Sequence, residues 1–591
     1  MNIKLITIKS QINLLIKVGK VTFKVGKHKV VDLCKLFISL QFTFIQNTTN
    51  MYKPLIYLMM VIALISCTSK QHVDLIVTNA NIYTVDDSFS KAEAFAVTNG
   101  KFIAVGSAKE VKTNFRSENI YDAEGKTIIP GLIDAHCHFY GLGSSMQKVD
   151  LSGTKSYNEV IDKIKSFQKD KNSNFILGRG WDQNDWKVKE YPTKNKLDKL
   201  FPKTPIAVRR IDGHAMLVNQ ATLDLAGINK NTEVTGGEII KKNGEITGVL
   251  IDNAMSFVNK IIPKTTKKEA IQALKDAEIF CFDLGLTTVD DAGLDKETID
   301  LIDSLQQSGA LKMRIYAMVS ANEKNLDYYL DHGVIKSDRL NVRSFKVYAD
   351  GALGSRGAAL KKPYSDREDH YGTMVTNLDT LRIIAKRIAN SNFQMNTHAI
   401  GDSATAFTLD TYTKVLKSQT NRRWRIEHAQ VLAEADFDYF TDIIPSIQPT
   451  HATSDMYWAE DRLGSERLKG AYAYKKLLEI NGRVALGTDF PVEKVNPMLT
   501  FYAAVARKDL DDYPNEGFEM ENALSREETI KGMTIWAAYA NFEENEKGSI
   551  EKGKFADFII LDENIMEISI EKVPQIKVLT TFVNGEKVSG K

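Results

Sequence analysis

From residue 73 onward the apolar positions fall into short runs, and the spacing between those runs changes twice along the chain. Near the start, Asp74-Leu75-Ile76-Val77, Asn81-Ile82-Tyr83-Thr84-Val85, Ala94-Phe95-Ala96-Val97 and Phe102-Ile103-Ala104-Val105-Gly106 are separated by Asn, Asp and Gly. β-rich runs punctuated this way predict the short strands of a sandwich or small barrel. The far end has the same texture in Gly548-Ser549-Ile550, Ala556-Asp557-Phe558-Ile559-Ile560-Leu561 and Val578-Leu579-Thr580-Thr581-Phe582-Val583-Asn584-Gly585. Residues 73–125 and 540–591 are therefore expected to form one small β-sandwich, split by everything between them.

Over 126–539 the pattern becomes strand-like runs alternating with helix-like stretches, which predicts a parallel α/β sheet or barrel. Ile128, Ile129, Leu132 and Ile133 read as one buried strand ending in His136-Cys137-His138. Further strands are expected at 285–291, 313–319, 344–350, 393–398, 424–428, 445–451 and 484–489. That makes eight, the number that closes a (β/α)8 barrel. From Lys267 to Phe282, Ala270, Leu274, Ala277 and Cys281 recur at helical spacing on one face. A long insertion, about 142–265, separates the first two barrel strands and holds two strand-like pieces, 175–181 and 206–214.

Composition narrows the class. The chain has 591 residues, 43% of them hydrophobic, enough for a large core, and a net charge of +2 with no long basic run, so nucleic acid is not an expected partner. Its four cysteines form no CxxC pair, which argues against a disulfide framework or a zinc finger. Met51-Tyr52-Lys53-Pro54 precedes an apolar run from Leu55 to Ile65 that ends in Leu64-Ile65-Ser66-Cys67. A positive residue, a short apolar core and small residues describe a secretory signal over 51–67, and the run is too short to span a bilayer. Its ending resembles a bacterial lipobox. Cys67 would then be a lipid anchor on an exported protein of the bacterial cell envelope, and residues 1–50 an extension upstream of the true start.

The polar residues supply the chemistry. His136 and His138 share a strand face because residues i and i+2 point the same way. Lys346, His398, His428 and Asp489 each stand inside or just past the end of a different expected strand. In a barrel those ends form the active-site face. Imidazole and carboxylate groups converging there suit a divalent metal such as zinc.

Asp134-Ala135-His136-Cys137-His138, Lys346 before Tyr348-Ala349-Asp350-Gly351, Thr397-His398-Ala399-Ile400-Gly401-Asp402, Ile426-Glu427-His428-Ala429-Gln430 and Gly487-Thr488-Asp489-Phe490-Pro491 together resemble the amidohydrolase superfamily. More narrowly they are similar to its third family, the branch that includes N-substituted formamide deformylases. The resemblance implies a metal-dependent hydrolase acting on amide-type C–N bonds of a small molecule. It implies one or two divalent ions, zinc expected: His136, His138 and Asp489 on one, His398 and His428 on a second, and Lys346 bridging as a carboxylated lysine. An ammonium cannot bind a cation, whereas a carbamate offers two anionic oxygens; the alternative for Lys346 is an interior lysine paired to Asp350 or Asp489. Asp489 would move the proton from water to the leaving amine, or else serve only as a ligand or a helix cap. Cys137 is expected to pack away from the ligands.

Around this centre, Trp181 and Trp186 are expected to shape the pocket, with His214 stabilising an oxyanion or orienting substrate unless it is a surface or core residue. Arg356, in a glycine-rich segment lacking the P-loop pattern, either recognises a carboxylate or pairs with Asp350. His451 stands on the same face as pocket wall or as support behind the ligands, and 461–464 reads as a lid. Two other readings stay open: a deaminase or lactonase on the same barrel, and a non-catalytic lipoprotein that captures its substrate. The assembly state is left open, a homodimer included.

Overall fold

The computed structural model describes residues 70–590 apart from 211, 212, 214, 235, 236, 253, 355, 418 and 420. The described fold is one compact unit, His72–Lys591. The expected signal and Cys67 precede it and lie outside the described residues, as does His214. Among the described residues no helix is long and apolar enough to cross a membrane.

Eight strands run parallel in sequence order: β1 Leu132–Cys137, β2 Leu286–Leu294, β3 Arg314–Ser320, β4 Leu340–Tyr348, β5 Gln394–Ala399, β6 Arg425–His428, β7 Ile444–Ile447 and β8 Ala485–Leu486. They make a nearly closed barrel. The seam between β8 and β1 is sealed just past the end of β8, where Asp489 N donates to His136 O (2.7 Å) and His138 N to Phe490 O (2.8 Å). Asp134 locks the same seam, its carboxylate accepting from Thr488 N at 3.0 Å and from the Thr488 hydroxyl at 2.7 Å. Gly487 is required there, since a Cβ would lie 2.5 Å from His136 N. Barrel interiors are usually filled by branched aliphatic residues. This one buries Asp290, Ser344, Lys346, Asn396, Arg425, Glu427 and Ser446, while alternate residues such as Phe345, Val347 and Ile426 join the apolar core under the helices.

The apolar run at 128–133 is two strands rather than one. Thr127–Pro130 pairs with Phe558–Leu561 and with Asn81–Ile82, outside the barrel. Gly131 makes the break: its N donates to Asp557 O, Leu132 N donates to Gly285 O, and a Cβ on Gly131 would meet Thr287 Oγ1 at 2.3 Å. Two sheets stand at this end of the barrel. The first takes Lys101–Gly106, Ala94–Thr98, Leu75–Thr78 and Ile120–Asp122. The second interleaves both chain ends as Glu586–Gly590, Val578–Val583, Phe558–Leu561, Thr127–Pro130, Asn81–Tyr83 and Lys91–Ala92. Phe95, Phe102, Phe558 and Phe582 share one core, with Phe558 and Phe582 stacked at 4.4 Å.

The insertion holds more structure than its pattern predicts. Six strands, Val149–Asp150, Ile176–Trp181, Ile206–Arg210, Ala215–Val218, Glu245–Asp252 and Gly237–Lys242, form a mixed sheet. It has apolar clusters of its own. The helix Lys267–Asp283 that returns to the barrel starts at a Thr266–Glu269 capping box and buries Ala270, Leu274, Ala277 and Cys281 as its spacing predicts.

Candidate metal centre

Six residues named from sequence converge at the C-terminal mouth of the barrel. His136 Nε2 lies 3.7 Å and His138 Nε2 3.1 Å from Asp489 Oδ1. Lys346 Nζ is 2.9 Å from His136 Nε2. The His428 ring centre lies 4.9 Å from that of His136 and 4.5 Å from that of His398. One ligand atom each from His136, His428 and Asp489 fall within 4.8 Å of one another, and all three residues are buried.

Three of the four histidines share one arrangement. His136 Nδ1 bonds Glu427 Oε2, His138 Nδ1 bonds Ala292 O at 2.9 Å and His428 Nδ1 bonds Gln448 Oε1 at 2.8 Å. Engaging Nδ1 in this way fixes the tautomer and turns the Nε2 lone pair toward the centre, as metal-binding histidines require. Glu427, Gln448 and Asp291 were given no role by sequence reasoning. Asp291 accepts from Phe139 N (3.0 Å) and Tyr140 N (2.9 Å), fixing the turn that follows His138. Strand alternation hid Glu427, because it should face away from His428. Both point inward because His428 adopts φ 75°, a left-handed conformation uncommon for any residue but glycine. Asp489, at φ 62°, turns inward in the same way. Such backbone is retained where surrounding structure over-determines it, often at functional sites.

Charge is distributed to suit a cation. Burial, with Lys346 nearby, pulls His398 down to about 3, and burial likewise holds His136 and His428 below the usual imidazole value. Neutral imidazole is the form that binds metal. Burial pushes Glu427 upward, but His136 and Arg425 outweigh it and hold the carboxyl at about 2. Burial would also raise Asp489, yet its histidine contacts keep it well below the ordinary carboxylate value. Burial depresses the Lys346 ammonium, only partly opposed by Glu427 and Asp489. His451 is driven the other way: against burial, Asp489 and Glu493 raise it to about 10. His398 Nε2 and Glu427 Oε1 are buried without a hydrogen-bond partner. Native proteins rarely leave such atoms orphaned, and this donor set fits a divalent ion.

Two sequence expectations fall elsewhere. Trp181 is fully buried in the insertion's own core with Nε1 donating to Val208 O at 2.9 Å, so it packs the insertion and does not line the mouth. Arg356 pairs with Asp366, at 3.0 and 2.7 Å, rather than with Asp350. Asp350 instead accepts from Ile400 N, Gly401 N and Ala359 N, tying the ends of β4 and β5 together. Lys346 makes no pair with Asp350. Cys137 is buried with Sγ against Asp290 O, turned from the ligands as expected. His451 stacks on His428 at 5.9 Å.

Comparison with known proteins points the same way. The profile of the amidohydrolase family matches residues 119–589. The chain is 33% identical over 537 residues to the protein LONG AFTER FAR-RED 3 of Arabidopsis thaliana, covering 87% of this chain and 91% of that one. It is 25% identical over 538 residues to the N-substituted formamide deformylase of Arthrobacter pascens, covering 87% and 97%. Among solved structures, an uncharacterized metal-dependent hydrolase from Pyrococcus furiosus superposes with a TM-score of 0.70 at 28% identity, over 83% of this chain and all of that one.

Proposed function

The chain belongs to the amidohydrolase family and is a metal-dependent hydrolase, and from that premise we propose that it cleaves amide-type C–N bonds in N-acyl amines, N-substituted formamides among them. The observation that carries this reading is the buried cluster of His136, His428 and Asp489 at the barrel mouth, with His138, His398 and Lys346 beside it and the Nδ1 atoms of His136, His138 and His428 held by the protein. The similarity to a formamide deformylase supports the substrate class.

In this reading His136, His138 and Asp489 would hold one divalent ion, zinc by the chemistry of the ligands. His398 and His428 would hold a second, and Lys346, as a carbamate, would add two anionic oxygens to the ligand set. A lysine whose ammonium form is disfavoured is the one suited to that change: its neutral amine adds carbon dioxide, a C–N bond forms and a proton leaves. When bound, a divalent ion polarises a carbonyl and lowers the pKa of water from 15.7 to about 7. The remaining work falls to the chain. Asp489 accepts the proton of water on its carboxylate and returns it to the nitrogen of the leaving amine. Glu427 and Gln448 keep the ligand rings from rotating. An exported, lipid-anchored state through Cys67 is part of the same proposal; it rests on residues 51–67, and Cys67→Ala should abolish palmitate labelling in a bacterial host.

The test is metal per chain by elemental mass spectrometry, paired with amine release from a panel of N-formyl and N-acyl amines. Two equivalents that fall on Lys346→Ala, together with amine release, are expected. No metal in zinc-grown protein would sink the mechanism. Ammonia or a ring-opened acid as product would replace amide cleavage with deaminase or lactonase chemistry.

A further inference from the structure

Beyond the ligands themselves, the two oxygens of Asp489 face different neighbours. Oδ1 is turned to His138 Nε2 and His136 Nε2, at 3.1 and 3.7 Å. Oδ2 lies 3.5 Å from His451 Nε2. His451 sits on the short helix Pro449–Asp455 that follows β7, and its Nδ1 is 3.2 Å from Glu493 Oε1. The Ser454 hydroxyl, one helical turn on, donates to the same oxygen at 2.7 Å. Glu493 comes from the turn after β8, so a single carboxylate links the loops after β7 and β8 and orients the imidazole between them.

We propose that Glu493, acting through His451, is a positioning residue that fixes the rotation of the Asp489 carboxylate, reserving Oδ1 for the metal position and Oδ2 for a protein donor. This rests on the reading of Asp489 as ligand and proton carrier. A carboxylate at a strand end can rotate about its last bond. A ring N–H held on one oxygen stops that rotation, and the ring is itself held because its other nitrogen is occupied by Glu493. His451 is not a ligand in this scheme. Both its nitrogens already face carboxylates, and its only approach to Asp489 is on the oxygen turned away from His136 and His138. Partners of this kind typically change metal affinity or activity by 10–100-fold when removed.

The full chain, stripped of metal and titrated with cobalt(II), reports the ligand arrangement through its visible absorption. Glu493→Ala and His451→Ala are expected to shift the cobalt bands in the same direction and to weaken cobalt binding about 10–100-fold. The double variant should match His451→Ala alone, because one line of contact is cut twice. Glu493→Gln keeps an oxygen that accepts from Nδ1 and from Ser454, so it should restore the wild-type spectrum. Metal-free melting midpoints should stay within a degree or so of wild type, which separates positioning from folding. A wild-type spectrum and affinity in Glu493→Ala, effects that multiply in the double variant, or a Glu493→Gln protein as altered as Glu493→Ala would each overturn the proposal. An unaltered chain that binds no cobalt would overturn the metal centre itself, and with it this inference.

Discussion

At the foot of the barrel Arg314 and Asp557 are closed on each other; at the mouth, charges just as deeply buried are left partly open. Arg314 Nε and Nη2 bond the two Asp557 oxygens at 2.6 and 3.0 Å, and its Nη1 donates to Asp338 O at 2.6 Å. Asn584 completes the cage, its N donating to Asp557 Oδ1 at 2.9 Å. Each nitrogen of that guanidinium has a partner, and both carboxylate oxygens are engaged. At the mouth, His398 Nε2 and Glu427 Oε1 have none. The foot pair is completed within the protein, whereas the mouth keeps buried polar atoms that a bound ion would satisfy. Burial alone does not distinguish the two regions; how fully their hydrogen bonds are satisfied does.

The largest expected effect tests the mouth. Asp489→Asn should lower turnover by about 10²–10⁴-fold, the usual weight of a proton carrier, while metal content and melting midpoint hold. An active Asn variant would remove Asp489 from the chemistry. At the foot the order should reverse. Asp557→Ala leaves the Arg314 guanidinium buried and unpaired, a loss of about 3–5 kcal/mol of stability by denaturant titration, with metal content and turnover of the folded fraction unchanged. The same pair makes acid sensitivity directional. Although burial pushes Asp557 up, Arg314 outweighs it and holds the carboxyl below its ordinary value of 3.8. Its stabilisation is therefore complete above that value and is lost as pH falls through the depressed one. Asp557→Asn should flatten the acid limb of a stability-against-pH curve. If it does not, the pair is not what links folding to acid there.

Smaller effects sharpen the boundary between the regions. Glu427→Gln frees His136 Nδ1 from a charged acceptor but keeps its shape, and should weaken metal binding about 10–100-fold without touching the foot. Arg356→Ala removes a pair with Asp366 on the loop rim and should leave KM unchanged. A raised KM would return Arg356 to substrate recognition.

Much of the barrel was legible because its signal is repeated. An apolar run ending in a histidine, lysine or aspartate recurs on β1, β4, β5, β6 and β8, and strand alternation placed His136 and His138 on one face. The same alternation concealed Glu427, because it assumes that a strand stays regular to its last residue, and β6 does not: the left-handed turn at His428 brings two consecutive side chains inward. Trp181 was misplaced for a different reason. An aromatic beside polar residues looks the same in sequence whether it lines a pocket or fills the core of an insertion, and the insertion's six-stranded sheet was read as two pieces. Arg356 found Asp366 through loop geometry, which leaves no periodic trace. The break at Gly131 was invisible because both halves of the run are apolar and buried, one beneath the barrel and one within it.

That break has a consequence for how the polypeptide is made. Thr127–Pro130 has its β-partner Phe558–Leu561 more than four hundred residues later. At synthesis rates of roughly 5–20 residues per second, this strand waits on the order of half a minute or more for a neighbour that does not yet exist. Throughout that time one edge of Ile128 and Ile129 is open to any passing strand, the situation in which chains pair wrongly. That edge is closed only once Phe558–Leu561 has been made. A ribosome that stops short of that strand releases a barrel whose foot is an unpaired apolar edge, so truncated products of this gene should be recovered as aggregates rather than as a smaller folded enzyme.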